Sequence, residues 1–312
     1  MSQLAKQLRP ITREEAVASF EDLIDYDCTV DPGLSRQGLR TLDYFFLGHR
    51  LKAKTKHHIS FAEAMRDPAL VKHLNELVVR YKKHDPRRMD PAALLRDQYS
   101  VFQLYYGTIN QFRPSAAKWA YCVLGAKHGI LDFSAGWGGR ALAAAALGVP
   151  YYGFDANTAL EPAYRQLITL VKSVMPDTPL PVLRFKPSEV AATAGDFAGL
   201  RYDLIFTSPP YFMLEEYQGM PEYEGKSGFL TQFFLPVVGA AWRHLMRGGH
   251  MALNMPAEMY EAVRAHLPPV TRTLLLPLAN RHPTNAVKKQ AMGAEDVERH
   301  ELIYVWRKGG RR

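Results

Sequence analysis

Through residues 1–110 the apolar side chains recur at intervals of three and four positions, and the spacing predicts helices over 13–23, 38–50, 61–66, 69–83 and 91–106. No clear run of the kind that makes a buried parallel strand interrupts them. Beyond residue 110 the rhythm changes, and short apolar runs alternate with longer helical patterns. Strands are expected near 129–132, 150–154, 182–185, 203–206, 250–254, 271–278 and 300–306. The intervening helices are an alanine-rich one ending at Leu147, a second over about 159–175 and a third over 229–245 that stops at Gly248-Gly249. Strands alternating with helices point to an α/β fold built on a parallel sheet. No internal repeat or low-complexity tract is present.

Two of the turns in this series carry chemistry. The run Asp203-Leu204-Ile205-Phe206-Thr207 ends on Ser208-Pro209-Pro210-Tyr211, and ligands of open α/β sheets bind beyond the carboxyl ends of such strands. For a planar substrate bearing an amine each residue type has a use. Ser208 offers an acceptor, the prolines fix the backbone so that carbonyls can face the same amine, and Tyr211 offers a stacking face. Upstream, the strand ending at Asp132 enters Phe133-Ser134-Ala135-Gly136-Trp137-Gly138-Gly139-Arg140-Ala141, and the next strand ends at Asp155. A strand, glycine loop, helix, strand and acid in that order suit a nucleoside cofactor: glycines let the backbone approach the ligand, and the acid accepts from ribose hydroxyls. Gly136-x-Gly138-x-x-Ala141 with Asp155 also fits a dinucleotide fingerprint, so the loop alone does not separate NAD from S-adenosylmethionine.

Together these residues resemble the amino-methyltransferases of DNA, S-adenosylmethionine enzymes that methylate adenine N6 or cytosine N4. Asp132 to Gly138 is similar to their cofactor motif, Asp155 to their ribose-binding acid, and Thr207-Ser208-Pro209-Pro210-Tyr211 to their catalytic motif. Phe112-Arg113-Pro114-Ser115 is similar to the segment that caps the methionine end of the cofactor. The resemblance covers about residues 110–307. It implies a Rossmann-like class I methyltransferase sheet over 111–312, mostly parallel with an antiparallel last strand; the helical, basic region over 1–110 lies outside it and is read from its own residues as a nucleic-acid-binding domain. It implies S-adenosylmethionine as cofactor, held by Phe112, Pro114, Asp132, Ser134, Ala135, Gly136, Gly138, Asp155, Ala156 and Thr207, with Ser188 or Glu189 beside the adenine. Ser208, Pro209, Pro210 and Tyr211 become the catalytic set, Phe212 a second stacking ring, and Glu216 and Tyr217 lid residues that read the base. Serine in the first position of the catalytic motif favours cytosine N4 over adenine N6. The alternatives are RNA, a protein amide or a small molecule as methyl acceptor, or a catalytically silent nucleic-acid-binding relative.

Charge and cysteine content limit this picture further. The 312 residues carry a formal charge of +8, which suits a polyanionic partner. Lys52, Lys54 and Lys56 form one basic cluster, and Arg80, Lys82, Lys83, Arg87 and Arg88 a second; with tyrosines and phenylalanines interleaved they are candidate phosphate contacts. The expected partner is DNA, as a flipped base or a single strand. His57-His58 do not converge on a metal, and the chemistry requires none. Cys28 and Cys122, far apart and without paired spacing, argue against a zinc site or a disulfide and suit a reducing cytoplasm. Neither lies near the catalytic motif, which disfavours methylation of cytosine at carbon 5. The amino terminus has no signal-peptide pattern and the longest apolar stretch, 141–154, is interrupted by Gly148 and Pro150. A soluble cytoplasmic protein is expected.

Overall fold

A computed structural model of the chain describes residues 2–210, 221, 223–277 and 300–309. It begins with six helices: α1 (Gln3–Leu8), α2 (Arg13–Asp25), α3 (Leu39–Arg50), α4 (Phe61–Ala64), α5 (Pro68–Lys82) and α6 (Pro91–Tyr106). Except for α3, which follows Gly38, they start on side chains that satisfy first-turn N–H groups. Thr12 with Glu15 and Ser60 with Glu63 form reciprocal capping boxes, while Asp67 and Asp90 cap helices that open on proline.

The remainder alternates strands and helices. In chain order these are α7 (Pro114–Leu124), β1 (Ile130–Asp132), α8 (Gly139–Leu147), β2 (Tyr151–Asp155), α9 (Glu161–Val174), β3 (Val182–Phe185), α10 (Ser188–Thr193), β4 (Leu204–Thr207) and α11 (Gly225–Gly228). After a π-helical stretch, Phe229–Phe234, come α12 (Leu235–His244), β5 (His250–Asn254), α13 (Ala257–Val263), β6 (Arg272–Pro277) and β7 (His300–Arg307). The strands form one seven-stranded sheet in the order β3-β2-β1-β4-β5-β7-β6. β1 to β5 run parallel, and β7 is antiparallel to both β5 and β6. This is the Rossmann-like sheet, mostly parallel with an antiparallel last strand, that the sequence led us to expect. Its order reverses between β1 and β4, so the carboxyl ends of these two strands open side by side at the switch point.

Three apolar clusters hold the molecule together. One covers the face of the sheet under α7, α8 and α9 and also takes in Ala16, Phe20 and Leu23 of α2 and Leu42, Phe45 and Phe46 of α3. The second lies on the opposite face under α10, the π-helical stretch, α12 and α13. The third joins α1, α4, α5 and α6 to Leu47 and Leu51 at the end of α3. The helical region is therefore continuous in packing with the sheet through α2 and α3.

Two expectations need correction. The helix expected over 229–245 is interrupted: Pro236 lacks an N–H and crowds the preceding turn, and the chain before it takes π geometry. The two cysteines read as unpaired are joined, with their Cα atoms 6.1 Å apart and 94 residues between them in sequence. The reason is the packing of α7 against the exit of α2. One turn before Cys122, on the same side of α7, the Lys118 ammonium donates to the carbonyls of Leu23, Ile24 and Tyr26 at 2.7–2.8 Å. Lys118 and Cys122 thus clasp the same piece of chain, and the cysteines lend no support to a reducing compartment. Among the described residues no helix is long and apolar enough to cross a membrane.

Candidate cofactor and catalytic site

The glycine loop between β1 and α8 is set by local backbone demands. Gly136 and Gly138 have φ of 60° and 79°, a region that side chains with a Cβ rarely adopt. Gly139 is needed for a different reason, because a Cβ there would lie 2.1 Å from the Phe112 carbonyl oxygen. The segment entering α7 therefore rests directly on the start of α8, with Pro114 buried at the first position of α7. Ser115 donates to the Ser35 carbonyl at 3.2 Å and does not act as the helix cap. Ala135 N–H donates to the Phe154 carbonyl, and the Tyr164 hydroxyl reaches the Gly136 carbonyl at 2.9 Å, so the loop is held from β2 and from α9.

Asp132 and Asp155, at the ends of β1 and β2, have different surroundings. Asp132 is fully buried. Its carboxylate accepts from Arg140 Nε at 2.6 Å, from the Tyr151 hydroxyl at 2.6 Å and from Ser134 N–H at 3.1 Å. Arg140 also reaches the Ser134 carbonyl. Burial works against the charge of Arg140, but Asp132 and Tyr151 outweigh it, and its pKa is held above the ordinary arginine value. Tyr151 is raised well above the ordinary tyrosine value by burial and by Asp132, so it remains a donor. Asp155 is half-buried. It accepts from Gly136 N–H at 2.7 Å and from Asn157 N–H at 2.9 Å. Desolvation, the largest influence, lifts its carboxyl to about 6 against the pull of those two N–H groups.

At the switch point the two motifs meet. Arg140 Nη1 donates to Ser208 Oγ at 3.0 Å, and the Ser208 hydroxyl donates to Asn254 Oδ1 at 2.9 Å. Asn254 Nδ2 donates to the Leu302 carbonyl on β7 at 3.1 Å. A chain of polar groups thus runs from β2 through β1, α8, β4 and β5 to β7, beneath the turn that continues through buried Pro209 and half-buried Pro210. Phe112 closes one side: its ring lies 5.5 Å from that of Phe206, and the Arg140 guanidinium lies 5.5 Å from its centre. Thr207 is fully buried and its Oγ1 has no hydrogen-bond partner among the described residues.

The other candidates lie further out. Ser188 is buried and donates to the Phe133 carbonyl at 2.5 Å, and half-buried Glu189 accepts from the Tyr223 hydroxyl at 2.9 Å. Ala156 follows Asp155 directly and is half-buried. Lys52, Lys54 and Lys56 are exposed on the loop after α3. Arg80, Lys82 and Lys83 lie at the end of α5, and Arg87 and Arg88 in the short turn beyond it, where both pair with Asp85. Tyr211, Phe212, Glu216 and Tyr217 lie outside the described residues. Arg140, Tyr151 and Asn254 were not singled out by the sequence, although Arg140 is the one charged residue of an otherwise apolar α8 and Asn254 ends an apolar strand as Ser208 follows one.

No family model matches the chain, and no curated protein matches it. Solved structures do show similarity. That of TrmN from Thermus thermophilus is 14% identical with a TM-score of 0.41, covering 71% of this chain and 68% of that one. NSun6 from Pyrococcus horikoshii with SFG is 16% identical with a TM-score of 0.40, over 68% of this chain and 55% of that one. An rRNA methylase from Streptococcus thermophilus is 13% identical with a TM-score of 0.38, over 64% of this chain and 99% of that one.

Proposed function

We propose that the protein is an S-adenosylmethionine-dependent methyltransferase acting on the exocyclic amine of a nucleic-acid base. The observation that carries this reading is the junction of Ser208 with the glycine loop through Arg140, where an amine acceptor and a nucleoside cradle share one switch point. The residues present fit the cofactor. Asp155 keeps lone pairs for ribose hydroxyls, Gly136 and Gly138 with Ser134, Ala135 and Ala156 bring backbone close, and the orphaned Thr207 hydroxyl offers an unspent polar contact. Phe112 and Pro114 are assigned to the methionine end, and Ser188 or Glu189 to the adenine. Asp132, whose carboxylate is engaged by Arg140, Tyr151 and Ser134, acts by shaping the loop.

When bound, the cofactor supplies an electrophilic sulfonium methyl: a carbon–nitrogen bond forms as the carbon–sulfur bond breaks, the thioether leaves, and the amine proton passes to solvent. The chain's own part is alignment. An exocyclic amine is a weak nucleophile because its lone pair is shared with the ring. Ser208 and the Pro209 carbonyl accept its two hydrogens and favour the pyramidal form, and Tyr211 with Phe212 stacks on the base. Glu216 and Tyr217 are assigned to the lid. A base within a duplex must leave the stack, at a cost of a few kcal/mol. Phosphate contacts at Lys52, Lys54, Lys56, Arg80, Lys82, Lys83, Arg87 and Arg88 offset that cost, with Arg87 and Arg88 already partly neutralised by Asp85.

The motif supports DNA as substrate, cytosine N4 ahead of adenine N6, and RNA is the alternative that the test includes. Unmethylated DNA and RNA are incubated with the protein and methyl-labelled cofactor, digested, and the labelled nucleoside identified by mass. N4-methylcytosine in DNA is expected. N6-methyladenine keeps the chemistry and changes the base, and an amine-labelled RNA nucleoside selects the alternative. Label at cytosine carbon 5, or in protein alone, overturns the reading.

A further inference from the structure

The hydrogen-bond chain under Ser208 has a direction, and it is set at one end. The Leu302 carbonyl can only accept, so the Asn254 amide meets it through Nδ2. That turns Oδ1 toward Ser208, which donates its hydroxyl hydrogen there. On the other side stands Arg140, a guanidinium with donors only, kept charged by Asp132, and it takes one of the two lone pairs of Ser208 Oγ. The hydroxyl hydrogen is spent and so is one lone pair. A single acceptor position remains.

We propose that Asn254 and Arg140 are positioning residues that make Ser208 an obligate acceptor, so that the turn selects a substrate nitrogen bearing a hydrogen and rejects ring nitrogens and carbonyl oxygens. The inference rests on the reading of the 208–211 turn as the transfer site. It adds the source of chemoselectivity. Ring nitrogens of the bases have localised lone pairs and are stronger nucleophiles than the amines, so an alkylating site without a filter modifies them first. Against Ser208 such a nitrogen sets lone pair against lone pair, whereas an amine forms a hydrogen bond. Sites built around one obligatory hydrogen bond discriminate strongly against partners that cannot make it.

Two measurements test the proposal. Neutron diffraction from deuterium-exchanged crystals of the full chain locates the Ser208 hydroxyl deuteron. It is expected on the line to Asn254 Oδ1. A deuteron turned away from Asn254, or an amide with Nδ2 toward Ser208, overturns the polarity whether or not a substrate is in hand. The second measurement is a double-mutant cycle on an unmethylated DNA oligonucleotide with methyl-labelled S-adenosylmethionine. Asn254→Leu is expected to lower kcat by roughly tenfold, the effect of one freed hydroxyl rotor, with KM for the cofactor unchanged. Combined with Ser208→Ala it is expected to add less than about twofold, because Asn254 acts through Ser208. Multiplying losses in the double variant overturn the positioning role while leaving the transfer site intact. A fully active Ser208→Ala removes the transfer site itself. Where Asn254→Leu does not fold, the diffraction result decides.

Discussion

Asp132 and Asp155 end neighbouring parallel strands, and the regions around them have taken opposite uses. Around Asp132 every contact is internal: a guanidinium, a phenol and a backbone N–H converge on a carboxylate with no exposed surface. Around Asp155 two backbone N–H groups are the partners, part of the side chain stays open, and ionisation is opposed by desolvation. The first region is a finished structure and the second a receptive one. The same residue type, at the end of a parallel strand, is thus either enclosed by internal partners or left partly open, and what separates the two is that Arg140 binds Asp132 directly and not Asp155.

The contrast has measurable consequences, of which the largest falls on the enclosed carboxylate. Asp132→Asn leaves Arg140 buried against a neutral amide and is expected to cost about 3–5 kcal/mol of stability in urea unfolding. A loss below about 1 kcal/mol would mean that the guanidinium finds other partners. Tyr151→Phe removes one hydrogen bond to that carboxylate and is expected to cost about 1.5–3 kcal/mol by the same measurement. Asp155→Asn reverses the pattern. Because the folded-state pKa of Asp155 is raised to about 6, its ionisation disfavours folding as pH rises through that value; at pH 7.5 the neutral amide escapes that cost but can accept only one of the two backbone N–H groups, and the variant is expected to match the parent within about 1 kcal/mol. Its affinity for S-adenosylmethionine, followed by calorimetry, is expected to fall by about tenfold, the loss of about 1.4 kcal/mol from charge-assisted bonds to ribose. The smallest effect is one of pH. Parent affinity is expected to weaken as pH drops below about 6 and Asp155 takes up a proton, while Asp155→Asn shows no such slope. A flat parent profile between pH 7.5 and 5 would remove Asp155 from the ribose.

The readable parts of this molecule are those whose signal is local. β3 and β5 begin and end where their apolar runs do, and α6 spans its amphipathic stretch between Pro91 and Tyr106. The glycine loop and the Ser208 turn were also visible, because positive φ and proline leave marks in adjacent residues. Contacts decided by topology left no such mark. Arg140 meets Ser208 across 68 positions and Ser208 meets Asn254 across 46, and only the strand order puts them together. α1, α10 and α13 are too short to display a helical period. The change in texture at residue 110 is real as a change of secondary structure, yet it does not mark a break in packing: a Cβ on Gly138 would come within 2.7 Å of the Phe46 ring of α3.

The bond between Cys28 and Cys122 gives that continuity a covalent form. The chain from 28 to 122 runs out through α3, α4, α5 and α6 and returns along α7, so the bond closes it into a ring. Both basic segments, 52–56 and 80–88, are carried on this ring. A single cut in either one opens the ring without dividing the molecule, and every fragment stays tethered to the sheet until the cysteines are reduced.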